Sequence, residues 1–289
     1  MRLANRFLQT IGIGTGGTGQ TAQAAALNAL LPTFPTNEDG RLNFGSDGSN
    51  GVYMDPFTIV PPLFDDLHCF GNTASNVPAG VFGLAPTGNG GGGIFNAATV
   101  AVSAAGRFGL AGLGVGTNSN NNGQGFFFNE NFLQYPGVIQ KGILQFSAYI
   151  PTLATVTNDF TVELGFRNTL TTGLSTNAMA ILYQRSSSTN WQAYTSKAGT
   201  STIVTSSTAV AAATWYNFKI VIQSGSVSFY VGAAPGPATT LIGTSTTNLP
   251  DSSNQTYLNF TIYRTATFAL QRYVVLDWLK WDGYLASQR

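Results

Sequence analysis

The stretch from Trp215 to Val231, WYNFKIVIQSGSVSFYV, restricts the fold more than any other part of the chain. From Tyr216 every second residue is apolar: Tyr216, Phe218, Ile220 and Ile222. Asn217, Lys219 and Gln223 occupy alternate positions. A period of two is that of a strand with one buried face. Ser224-Gly225 then supplies a short turn, because glycine takes the positive φ that tight hairpins need. Val227, Phe229 and Val231 resume the alternation. The pattern predicts a β-hairpin inside an antiparallel sandwich, with Asn217, Lys219 and Gln223 facing away from its core.

The hairpin has many companions. From Asp65 onward the sequence reads strand, turn, strand, with no helical stretch. Strands are predicted over Ile94–Val102, Gly109–Val115, Gly125–Asn129, Gly142–Tyr149, Phe160–Phe166, Ala178–Gln184 and Trp191–Ser196. They continue over Thr202–Ser206, Trp215–Gln223, Val227–Val231, Leu241–Ser245, Tyr257–Tyr263 and Tyr273–Trp281. Turn signals between short strands, about 8–12 residues apart, mark an all-β sandwich or jelly roll. GNGGGG (88–93) and TNSNNNGQG (117–125) read as loops.

Residues 1–50 are different. GIGTGGTG is too rich in glycine for regular structure, whereas Thr21 to Leu31 reads as one short α-helix ended by Pro32. Leu27, Leu30 and Leu31 share one face of it. So short a helix is marginal alone, so that face needs a partner. A phosphate-binding loop is not indicated. No useful strand precedes the glycines, no acidic residue follows at the required distance, and the P-loop lysine is absent. Residues 33–60 form a linker rich in Pro, Asp, Asn and Gly that becomes ordered near Val52 to Val60. The division expected is an attachment and oligomerisation segment, 1–50, and a sandwich domain, 51–289.

Charged residues make up 9% of the 289, against about 25% in ordinary globular domains. The surface must therefore be built from Ser, Thr, Asn, Gln and Gly. Such a surface suits packing against like subunits or contact with neutral ligands such as glycans. The net charge of +1 and the lack of a basic run argue against nucleic-acid binding. Cys69 is the single cysteine, so no intrachain disulfide framework exists. MRLANRFLQTIG does not read as a secretory signal, and no stretch approaches the roughly 18 apolar residues of a membrane span.

Two resemblances bear on these readings. GTGGTGQTAQAAALNAL resembles the glycine–threonine element, followed by an alanine-rich helix, of bacteriophage tail fibres and other fibrous virion proteins. That implies attachment to other virion proteins and homotrimer formation through Gly14, Gly16, Gly17, Thr18, Gly19, Leu27, Leu30 and Leu31. Residues 62–286 resemble the concanavalin A-like (laminin G-like) jelly-roll domains of phage structural proteins. The matching features are FDDLHCFGNTASNVPAGVFGL (64–84), residues 142–168, residues 181–222 and RYVVLDWLKWDGY (272–284). The resemblance implies a virion component displaying a lectin-like head for adhesion to host surface glycans. The segment before the glycine–threonine element is very short. A tail-fibre-like or receptor-binding appendage and a capsid decoration or head-fibre protein both remain open.

Catalytic and metal chemistry find few groups. His68 is the only histidine, and its neighbour Cys69 would point to the opposite face of a strand, a poor geometry for a nucleophilic pair. One Cys and one His do not make a zinc site. No cofactor is expected; calcium is the one ion to consider, at Asp65 and Asp66, because the run Asn118–Asn122 lacks carboxylates. A glycosidase needs two carboxylates across a cleft. The glutamates are Glu38, Glu130 and Glu163, with Glu163 on the polar face of a strand and Glu130 or Asp277 as its partner. A polysaccharide-degrading enzyme is therefore disfavoured. For stacking on sugar rings the candidates are Trp191, Tyr194 and Trp281, weighed against packing in the core. Trp278 and Trp281 are expected on opposite faces of one strand, so only one can enter the core.

Overall fold

The computed structural model describes residues 44–46, 52–54, 59–65, 85–89, 93–96, 111–115, 124–135, 139–168, 173–251, 253–254, 256–264 and 270–285. Side chains are described from residues 112–115, 142–168, 173–251, 253–254, 256–264 and 270–282. The chain forms two compact units, Met1–Pro62 with Ser287–Arg289, and Leu63–Ala286. In the first, β1 (Phe44–Ser46) and β2 (Val52–Met54) form an antiparallel pair with Phe44 opposite Met54. β3 (Ile59–Asp65) crosses the boundary between the units.

The larger unit is all-β. Its strands are β4 (Ala85–Asn89), β5 (Gly93–Asn96), β6 (Ala111–Val115), β7 (Gln124–Tyr135), β8 (Ile139–Ile150), β9 (Thr161–Arg167) and β10 (Ala178–Gln184). There follow β11 (Asn190–Lys197), β12 (Thr200–Ala209), β13 (Thr214–Gln223), β14 (Ser226–Ala233), β15 (Thr240–Ser245), β16 (Thr256–Tyr263) and β17 (Arg272–Leu285). The front sheet has the order β12-β11-β10-β9-β16-β7-β4. The back sheet runs β15-β14-β13-β8-β17-β6-β5. Pairing along both paths is antiparallel. The chain changes sheets repeatedly, after β4, β6, β8, β12 and β15 among others, which wraps it around one core as a jelly roll.

That core is set by period-two alternation. Tyr216, Phe218, Ile220 and Ile222 of β13 meet Val227, Phe229 and Val231 of β14 and Leu144 and Phe146 of β8. From the front sheet come Val162, Leu164 and Phe166, Met179, Ile181 and Tyr183, and Leu258, Phe260 and Ile262. Phe146 stacks on Phe218 at 5.2 Å between centroids and meets Phe260 edge-on at 4.9 Å, joining the two sheets. Each large side chain removed from water here contributes about 1.5–3 kcal/mol.

The β13–β14 hairpin has the predicted turn. β13 ends at Gln223, β14 begins at Ser226, and Gly225 has φ 77°. An added Cβ there meets nothing within 4 Å, so only the backbone conformation demands glycine. Gly225→Ala is therefore expected to lower stability by about 1 kcal/mol through φ strain alone, without changing the fold. Thermal unfolding with unchanged far-UV circular dichroism would check it.

The antiparallel sandwich expected from sequence is the observed one, and β9 to β17 fall within a few residues of their predicted ranges. The glycine runs differ. Gly88 and Asn89 belong to β4, Gly93 opens β5, and Gln124 opens β7. Glycines there sit opposite glycines, Gly88 with Gly125 and Gly93 with Gly114, so no side chain reveals the strand. No helix occurs among the described residues. The helix expected over 21–31, with Leu27, Leu30 and Leu31, lies outside them. So do Gly14, Gly16, Gly17, Thr18, Gly19 and the pair His68 and Cys69.

Candidate functional site

The three aromatics picked as sugar platforms are not available to a ligand. Trp191, Tyr194 and Trp281 are 1%, 2% and 1% exposed. Trp191 packs edge-on against Phe218 at 4.8 Å and against Tyr216 at 5.4 Å. Trp281 meets Phe166 at 5.4 Å and covers Gly142. A ring with no accessible face cannot stack on a sugar, so Trp191 and Trp281 are core residues. Trp278 is half-buried outside the core, as the two-face argument required.

Tyr194 has a different role. It lies on the outer side of the front sheet, in register with Ala180, which faces Gly165. The segment Gly173–Asn177 folds over that side. Leu174 packs on Ala178, Ala180, Leu182 and Tyr194, and the Tyr194 hydroxyl donates to the Ser175 carbonyl at 2.6 Å. Arg167 Nε donates to Ser175 Oγ at 2.9 Å, and its Nη2 donates to the Gly173 carbonyl at 3.2 Å. The covered surface therefore hides Glu163, which sequence places on a polar face but which is 0% exposed. Its carboxylate is 3.5 Å from Arg167 Nε. Burial pushes the Glu163 carboxyl above its ordinary value. The Arg167 charge and the Ser175 N–H act in the opposite direction, yet neither gives it a hydrogen bond of ordinary geometry. Burial likewise raises the Tyr263 hydroxyl, with the Glu163 charge adding to it. Arg167 lies 5.9 Å from the Tyr263 ring centre.

The carboxylates considered for glycoside cleavage are not brought together. Glu163 lies on the outer side of the front sheet, and Asp277 is buried on β17 of the back sheet. The Glu130, Asp65 and Asp66 side chains lie outside the described residues. Among the described residues no three His, Cys, Asp or Glu side chains gather as a metal would need. No described helix is long and apolar enough to cross a membrane.

On the outer side of the back sheet most side chains are buried, Ile143, Ser147, Tyr149, Val275 and Asp282 among them, and the half-buried row left between them is the candidate site. Register brings Tyr230, Lys219, Gln145 and Lys280 into one row across β14, β13, β8 and β17. All four are half-buried. Lys219 Nζ stands 4.5 Å from the Tyr230 ring centre, a cation–π contact that holds both side chains. The next row places Ser228 against Val221 and Val221 against Ile143. Beyond Ser228, its hydroxyl bonds to that of Thr244 at 2.9 Å. Lys280 pairs with Asp282 at 2.9 Å. On the other flank Asn217 Nδ2 donates to the Gly236 carbonyl at 2.8 Å. The charges described here have partners, leaving amide, hydroxyl and ring edges at the surface. Such a plane can hydrogen-bond and stack. Sequence parity located Asn217 and Lys219 on this side; the row with Gln145 and Tyr230 needs the register.

Relatives bear on the family and the fold. No curated protein shows significant sequence similarity to the chain. The crystal structure of a protein of unknown function, SO2946 from Shewanella oneidensis MR-1, has a TM-score of 0.54 and 13% identity. The match covers 80% of this chain and 90% of that one, and shows a shared fold. Peanut lectin, with a TM-score of 0.47 and 11% identity, covers 78% of this chain and 98% of its own. A β-1,3-glucanase from Mycobacterium marinum, at 0.42 and 8%, covers 60% and 74%. These last two are too distant to carry anything over to this chain. The profile of the SO2946-like C-terminal domain matches residues 107–277, which span β6 to the middle of β17 and more than half of the 289 residues. The chain belongs to the SO2946-like family, through its C-terminal domain.

Proposed function

We propose that this chain is a non-enzymatic structural protein of a virion, whose sandwich is a displayed head that adheres to neutral, polyhydroxylated ligands such as host surface glycans. The observation that carries this reading is the row Tyr230, Lys219, Gln145 and Lys280 with its charges already partnered. A neutral ligand meets such a surface without having to compete with water for an unpaired charge. Residues 1–50 attach the head to the particle, and the glycine–threonine element with Leu27, Leu30 and Leu31 gathers three copies. Resemblance to fibrous virion proteins supports that part.

The experiment is a pair of assays on the purified full chain. Binding to an array of bacterial surface polysaccharides is expected, and Lys219→Ala with Tyr230→Ala should weaken it about tenfold or more, since stacking contacts are worth about 1–2 kcal/mol. Release of new reducing ends from those polysaccharides would overturn the non-enzymatic reading. Deleting residues 1–32 should leave the head off the particle; continued incorporation would overturn the attachment role. Immunogold labelling of particles with an antibody to the head decides between tail and capsid.

A further inference from the structure

Among the described residues, the end strands of the two large sheets are protected unequally. An edge strand offers unpaired N–H and C=O groups to any passing strand, and proteins blunt it with charge, proline, bulges or brevity. β4 carries Pro86. β5 has 4 residues. β15 has 6 residues, lies next to a register shift between Phe229 and Tyr230, and is preceded by Pro235 and Pro237. β12 has none of these along its regular part. It is 10 residues long, TSTIVTSSTA, with no charge and no proline. Its pairing with β11 runs unbroken from Thr200 to Thr205, and the irregularity comes only beyond Thr205. Along this stretch Thr200, Ser201, Ile203 and Thr205 are exposed. Ile203 is one of four exposed large hydrophobics among the described residues, at 38%, and it stands midway along an edge that no second described strand pairs with.

We propose that β12 docks antiparallel on β12 of a second copy of this chain, about a twofold axis at Ile203, joining two front sheets into one. Side chains directly opposite one another in an antiparallel pair share a face, so a twofold through the strand must pass beside a residue. With the axis at Ile203, that residue meets its own copy and leaves water. Ser201 then faces Thr205 of the second copy, a hydroxyl pair that favours sheet formation, and Thr202 faces Val204. No like charges meet. The choice of the chain itself as occupant rests on this self-complementarity, and on a net charge of +1 over 289 residues that sets little repulsion against association. The contact is independent of the adhesion reading; with three copies gathered by the N-terminal segment it joins two such trimers, since a twofold contact cannot close within three copies.

Sedimentation of the full chain tests it. Ile203→Lys places two ammonium groups side by side at the axis and should cut the particle mass about twofold relative to wild type. Val156→Lys, at a residue 78% exposed and away from β12, should leave the mass unchanged. Cross-linking gives a second readout that does not depend on mass. In a Cys69→Ser background, Ile203→Cys should form an inter-chain disulfide on mild oxidation, because opposed Cα atoms about 4.5–5.5 Å apart are within disulfide reach. Ser201→Cys, which faces Thr205 instead of itself, should cross-link far less. Equal masses for wild type and Ile203→Lys, or equal cross-linking of the two cysteine variants, overturns the proposal.

Discussion

Arg167→Met is expected to destabilise the sandwich by about 3–5 kcal/mol at neutral pH, with most of that loss recovered when Glu163→Gln is added. Arg167 and Glu163 are 1% and 0% exposed, so removing the guanidinium strands a carboxylate with no water to solvate it. Methionine keeps much of the volume, which isolates the charge from the packing. The loss must depend on pH in one direction. Burial raises the folded-state value of Glu163 above its unfolded one, so the neutral carboxyl is the form the native protein tolerates. Stability linked to this group is complete below the unfolded carboxylate range, about 4.3, and is lost as pH rises through the folded value. Without Arg167 the folded value climbs further. The cost of Arg167→Met should therefore shrink as pH falls toward about 4. Urea unfolding of the single and double variants across that range provides the measurement. An equal cost at both ends, with no recovery from Glu163→Gln, would mean that Arg167 acts only by tying down Gly173 and Ser175.

The same surface shows where sequence reading stops. Alternation tells which side of a strand a residue takes, and it placed Phe218, Ile220, Val227 and Phe229 in the core. It says nothing about what lies over the other side. Glu163 reads as a polar-face group because TVELGFR alternates, and Tyr194 as a candidate for stacking on sugars, yet Ser175 and Leu174 cover them through contacts that no local period encodes. Trp191 was readable in part. It alternates with Gln192 and shares a side with Ala193, but only the buried neighbours Tyr216 and Phe218 show which side is the core. Along β17 the parity itself changes. Val274 and Leu276 enter the core, and after the register shift so do Leu279 and Trp281. The extra residue near Asp277 and Trp278 turns Trp281 inward, and sequence gives no sign of it. The half-buried row Tyr230, Lys219, Gln145 and Lys280 joins the β13–β14 hairpin to β8 and β17, distant in sequence, so it too appears only with the register.

That bulge gives Trp281 its structural weight. Trp281→Ala is expected to cost about 3–5 kcal/mol, among the largest effects of any single change, because it empties a fully buried indole site between the sheets. The indole lies against Phe166 and over Gly142, whose missing Cβ makes the room for its ring. Gly142 pairs opposite Gly283 on β17 and Ile222 on β13, so the glycine sits in the sheet and not in a turn. Its need is steric: a Cβ there would overlap the ring. Gly142→Ala in the wild type should therefore cost about 1–3 kcal/mol by forcing the indole off its position. In the Trp281→Ala background the same change should be neutral or stabilising, since the new methyl enters the space the indole left. A double-mutant cycle by chemical denaturation measures the coupling, which should approach the full cost of Gly142→Ala. Additive costs would show that Gly142 is required for its backbone and that the strand, not the indole, sets the residue at that position.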